Sequence, residues 1–161
     1  IDEKIIIETL KQFSKNFHQS LQKHFCWRMG IEDIDSKNLN EIMVIILNES
    51  EKNKIDFANM FYDFYGGRNS ILDCIKTNYG KKYKINEFSK VVEILKESFP
   101  SKGALEKKQE LDNNRQNMLL NEVEKIWSEI DKNDNWALLN EKVYNVRRLG
   151  NLLESKKLVN V

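Results

Sequence analysis

The sequence predicts an all-α fold, on three observations. Only 6 of the 161 residues are glycine and 1 is proline, too few for a turn-rich β-sandwich. Apolar residues recur at steps of three and four along most of the chain, the repeat of one helix face. The interruptions of that repeat fall at Gly30, Gly66-Gly67, Gly80 and Pro100, residue types that end helices. The expected architecture is a compact helical bundle of about five helices over 1–100, a polar helical arm or linker over 101–117, and an antiparallel helical hairpin over 118–161. The second helix is expected to be the most buried.

Helix one is placed from Asp2 to Met29, because Ile6, Leu10, Phe13, Phe17, Leu21, His24 and Phe25 share a face. Gly30 supplies the left-handed stop, and Asp35 or Ser36 the side-chain oxygen that starts helix two, about Lys37 to Glu51. There Leu39, Ile42, Met43, Ile46 and Leu47 form a wide stripe, with Val44 and Ile45 spilling around the cylinder. Asp56 caps a third helix carrying Phe57, Phe61, Phe64 and Tyr65, which Gly66-Gly67 breaks. A fourth runs from Asn69 or Ser70 to about Asn78. A fifth starts at Asn86, shows Phe88, Val91, Val92, Leu95 and Phe99 on one face, and ends at Pro100, which pushes the preceding residue out of helical geometry.

Glu106 to Asn117 holds one apolar residue, Leu111, and reads as a solvated arm or connector. The repeat returns from Met118, with Leu119, Val123, Ile126 and Ile130 on one helix and Trp136, Leu139, Val143 and Val146 on the next. The polar stretch Asp131 to Asn135 between them is short enough for antiparallel neighbours. Those eight residues are expected to close against one another, leaving Leu120, Trp127, Leu138, Tyr144 and Leu149 to a second surface.

Composition excludes several functions. Lys and Arg total 26 against 25 acids, with 15 of each before Pro100, so neither half has the basic bias of a nucleic-acid-binding domain. No run approaches the roughly 18 apolar residues of a membrane span, and no nucleic-acid or membrane partner is expected. Cys26 and Cys74 share no metal-binding or redox spacing and read as reduced thiols of a cytoplasmic protein. The chain opens at Ile1 without a methionine or a signal-peptide pattern, as a piece of something longer would.

No catalytic, cofactor-binding or metal-ligating residue can be named from the pattern. His18 and His24 are six apart, on different helix faces, whereas two helical ligands need three or four. His24 and Cys26 point apart at spacing two. Gly66, Gly67 and Arg68 form the best weak anion-site candidate, since paired glycines can expose backbone N–H groups before a helix start, although helix punctuation explains them too. Lys81, Lys82 and Lys84, interleaved with Tyr79 and Tyr83, are too few for single-strand binding and read as a polar loop. Trp127, Trp136, Tyr144, Arg147 and Arg148 are the candidate interface residues, since aromatic side chains and arginine carry most interface energy.

Arg28-Met29-Gly30-Ile31 after Phe17 and Leu21, then Leu39, Ile46-Leu47, Asp56-Phe57 and Phe61, resembles the helical C-terminal part of the selenoprotein O family, the kinase-like protein adenylyltransferases. That family shows a basic residue before Leu-Gly-Leu, a leucine-rich helix, and Asp-Tyr-Thr before Phe-Arg. The resemblance covers residues 13–64 and departs at Ala58 and Tyr62, where the family has Thr and Arg. The family's Asn-Pro…Leu-Arg-Asn segment has no counterpart unless the stretch around Arg147-Arg148 replaces it. The nucleotide-binding lysine, the glutamate and the metal-binding Asp and Asn of the kinase-like core have none either. The resemblance implies a helical accessory region of an enzyme that moves AMP from ATP to protein hydroxyls, supporting the core or docking a protein substrate, and inactive alone. The alternative is an independent helical interaction domain, an adaptor or effector. The expected partners are a protein, the missing catalytic core, or a second copy bound through the hairpin; no cofactor is expected.

Overall fold

A computed structural model describes residues 3–53 and 55–154, and its regular structure among them is helical: α1 Glu3–Met29, α2 Ser36–Asn53, α3 Phe57–Asp63, α4 Arg68–Cys74, a 3-10 helix Tyr79–Lys84, α5 Phe88–Leu95, α6 Ala104–Asn113, α7 Leu120–Asn133 and α8 Ala137–Glu154. The chain divides into two compact units, Ile1–Glu106 and Lys107–Val161.

In the first unit the core is built from the end of α1 (Phe25, Cys26, Met29), one face of α2 (Leu39, Ile42, Ile45, Ile46), α3 (Met60) with the following Phe64, and α5 (Phe88, Val91, Val92, Leu95). Each apolar set follows the three-four repeat, and burying it is what holds the short helices, since seven or eight residues are not stable helices alone. Asp35 starts α2, its Oδ1 accepting from the Asn38 amide at 2.9 Å. Asp56 starts α3 the same way, accepting from Asn59 at 3.1 Å.

Several expectations need correction. α5 is more completely covered than α2, since four of its eight residues are buried while Val44 and Leu47 of α2 are open to water. α5 also ends at Leu95, short of Pro100. The reason is hydrogen bonding: the Phe99 carbonyl accepts from Glu32 N–H (3.0 Å), Ser98 from Arg68 N–H (3.0 Å), and Ser101 N–H donates to Gly30 (2.9 Å). This segment leaves the helix to line up with residues 30–32, where Ile31 and Pro100 form an isolated antiparallel bridge, and Phe99 is exposed. α4 stops at Cys74, and Tyr79–Lys84 winds into a 3-10 helix in place of the predicted polar loop. Gly80 lies inside that turn, where a Cβ would stand 2.0 Å from the Cys74 carbonyl oxygen. Tyr83 is fully buried.

α1 forms at its expected length, but its face is packed only from Leu21 onward; residues 3–20 are all exposed. In the second unit, Leu111 of α6 is fully buried, and Leu149 and Leu153 of α8 are buried with it. The stretch from Glu106 to Asn117, expected among the most exposed, is mostly half-covered. α6 is tied to α8 by Arg148 on Glu110 at 3.5 Å. α7 carries no buried residue among those described and runs on to Asn133, where Asp134 ends it in the left-handed conformation.

Candidate functional site

Part of the family resemblance, Arg28, Met29, Gly30 and Phe61, falls at one helix junction. Gly30 turns the chain after α1 with φ 62° and lies so close to Tyr65 that a Cβ would stand 2.7 Å from the ring's Cζ. One residue earlier, Met29 is fully buried. Arg28 lays its guanidinium over the ring of Tyr62, 4.6 Å from the centroid, and 5.5 Å from that of Phe61, a cation–π contact. Its Nη1 is buried with no hydrogen-bond partner. Phe25 meets Phe61 edge-on at 5.8 Å. Tyr62, one of the two departures from the family pattern, thus supports Arg28. These residues are structural: they lock the end of α1 onto α3. Burial, opposed in part by the Arg28 charge, pushes the Tyr65 hydroxyl above its usual range.

The glycine pair serves the same packing. The amides of Gly66, Gly67 and Arg68 donate to Met29, Phe64 and Ser98 carbonyls at 2.8, 2.9 and 3.0 Å, so none of these three faces an anion. Gly67 has φ 66° and ψ −135°, and a Cβ there would meet Ser98 O at 2.7 Å and Ile31 Cγ2 at 2.9 Å. Ser70 Oγ donates to the Tyr65 carbonyl at 2.5 Å. The Arg68 side chain is exposed.

The hairpin is where candidate interface residues gather. A three-residue turn reverses the chain between α7 and α8, with Trp136 Nε1 donating to Asp134 Oδ1 at 2.9 Å. Between the helices Lys142 is buried, its Nζ donating to the Asn117 carbonyl at 2.6 Å and to Glu122 at 2.8 and 2.9 Å. That lysine contributes to a mixed cleft whose polar lining includes Arg115, Asn121, Glu122, Lys125, Glu141 and Asn145, beside Leu119, Ile126 and Leu138. Sharing Lys142 and Ile126 with it is an open groove of about 630 Å³, lined by apolar side chains apart from Lys142 and Arg147. The seam expected to be closed therefore stands open: Val123, Trp136, Val143 and Val146 line the groove and remain exposed. Trp127, expected on the outer face, also lines it and is 66% exposed, whereas Leu149 packs inside the unit. Of the five candidates, Trp127, Trp136 and Arg147 share the groove. Tyr144 is exposed outside its lining, and Arg148 pairs with Glu110.

A second uncovered apolar surface was missed by sequence reasoning. Ile6, Leu10, Phe13 and Phe17 of α1 are all exposed, and Phe13 and Phe17 stack on each other at 6.2 Å. Periodicity alone does not separate a covered stripe from a bare one. Length was the usable signal, since α1 has 27 residues and α2, the next helix, 18.

The remaining candidates are occupied within the protein. His18 Nδ1 lies 2.7 Å from the Ser14 carbonyl, and His24 packs edge-on against Trp27. Lys82 sits over the Tyr79 ring at 3.6 Å. Both cysteines are free, and burial, aided by the nearby Asp33 charge, pushes the Cys26 thiol up to about 11, so it is not an activated nucleophile. Among the described residues no group of three or more His, Cys, Asp or Glu is arranged to hold a metal ion, and no helix is long and apolar enough to cross a membrane.

An all-helical chain in which part of the resemblance fixes one helix junction belongs to a class recognised by sequence pattern, and the pattern extends beyond that junction. Residues 1–147 match the family described as protein adenylyltransferase SelO, and the chain belongs to it. The match runs past residues 13–64, through the bundle and into α8. No significantly similar curated protein or solved structure was found.

Proposed function

We propose that this chain is a helical accessory region of a SelO-type protein adenylyltransferase, which supports the kinase-like core or docks its protein substrate and does not transfer AMP alone. The observation that carries this reading is the bare stripe Ile6, Leu10, Phe13 and Phe17 on α1, in a chain of this family. Apolar side chains left in water forgo about 25 cal/mol per Å². A helix presenting anchors at steps of four, three and four is the ordinary shape for seating in an apolar groove. The junction of Arg28, Gly30 and Tyr65 fixes the base of that helix and so gives the stripe a defined direction from the first unit.

The test uses the family's kinase-like core as a separate polypeptide. Calorimetry is expected to show the chain binding the core, at least tenfold more weakly after Phe13→Glu. With labelled ATP and magnesium, the chain alone is expected to label no protein. Label transfer by the chain alone, or binding indifferent to Phe13→Glu, would overturn the reading. An independent adaptor or effector domain would ignore the core.

A further inference from the structure

We infer that the groove between α7 and α8 is a self-association surface whose occupant is the same groove of a second copy, the two hairpins closing about a two-fold axis into a four-helix bundle.

Three features of the second unit point to this. The groove differs in lining from the neighbouring cleft that shares Ile126 and Lys142 with it: apart from Lys142, whose ammonium is held by Glu122 and Asn117, and Arg147, its walls are apolar, whereas the cleft also carries Arg115, Glu122, Lys125 and Glu141. Next, the groove carries both a hole and a knob. Its lining combines Ile126, Ile130 and Leu139, each partly covered, with Trp127, which is 66% exposed. An isologous contact needs this self-complementarity, because each copy supplies the knob for the other's hole.

The third feature is area. Met118, Val123, Trp127, Trp136, Val143 and Val146 are between 38 and 69% exposed. By their sizes they leave about 600 Å² open on one copy, so pairing two grooves withdraws at most about 1,200 Å², the lower end of what specific stable interfaces bury. α7 and α8, of 14 and 18 residues, have the length and antiparallel connection of half a four-helix bundle. Arg147 lies at the rim, where a charge stays hydrated.

The experiment is sedimentation of the full chain from about 1 to about 100 µM, a range that spans the dissociation constants of modest interfaces. A monomer–dimer equilibrium is expected. Trp127→Glu and Val143→Asp should each weaken it at least 30-fold, with helix content unchanged by circular dichroism because both side chains are exposed. Tyr144→Glu, equally exposed but outside the groove, and Phe13→Glu on α1 should leave it unchanged. A chain monomeric throughout overturns the inference, as does a dimer lost with Phe13→Glu or indifferent to both groove variants. A groove protected from Trp127 quenching only when the kinase-like core is added would assign the surface to the core, again overturning it. The α1 variants test the accessory reading separately, so either proposal can fail alone.

Discussion

Tyr83 donates its hydroxyl hydrogen to Asp63 Oδ2 at 2.5 Å, with both side chains buried. The bond joins the 3-10 helix to the last residue of α3, twenty positions apart in sequence, and the Tyr83 ring packs between Phe64 and Phe88. Burial, the bond to Asp63 and the carboxylate charge all push the phenol above its usual range, keeping it a donor. Tyr83→Phe removes the bond but keeps the ring, and is expected to cost about 1–3 kcal/mol. A urea midpoint equal to that of the parent would show the bond contributes nothing.

Two glycines should respond in opposite directions to alanine. Gly67→Ala places a side chain 2.7 Å from Ser98 O at positive φ, and about 2–4 kcal/mol of destabilisation is expected from strain and overpacking together. Gly150, inside α8, would present its Cβ to open space, so Gly150→Ala should stabilise by about 0.5–1 kcal/mol. Paired denaturation curves decide both signs.

Cys26 predicts a pH dependence. A thiol held above its ordinary range is protonated in the fold but ionises more readily in the unfolded chain. Its contribution is therefore full below about pH 9 and is lost as pH rises towards about 11. Cys26→Ala should flatten stability over that window, leaving a residual slope above about pH 10 from Tyr65 and Tyr83, whose raised hydroxyls act in the same direction. An unchanged slope in Cys26→Ala would contradict the burial of the thiol.

Lys142 is expected to fix the hairpin. Lys142→Met keeps the stem's packing but removes the bonds to Asn117 and Glu122. Because the Glu122 side chain is 40% exposed, the cost is discounted to about 1–2 kcal/mol. Loss of hydrogen-exchange protection should concentrate in α7. Uniform protection across the variant would argue against this role.

The helices were legible because their signals are local. Asp35, Asp56 and Gly30 all act within a turn of where they stand, and each does what its residue type implies. What sequence could not supply was whether a stripe finds a partner. Ile6 to Phe17 and Val123 to Val146 have the same period as Phe88 to Leu95, yet only the last is covered. The early end of α5 was equally illegible, since Phe99 continues its apolar face and only the bonds to Glu32, Arg68 and Gly30 draw the segment away. At the glycine pair, residue type suggested exposed amides and the fold directed them into Met29, Phe64 and Ser98.

The junction of Arg28, Gly30 and Tyr65 bears on how such a chain changes over generations. Because Gly30 admits no side chain beside Tyr65 and the adjoining Met29 is fully buried, a substitution there acts on folding before any reaction is affected. The marks of kinship in this stretch would persist in a descendant whatever became of its chemistry. Resemblance at these positions therefore traces ancestry of shape, and activity has to be sought in residues that the helices can change without unfolding.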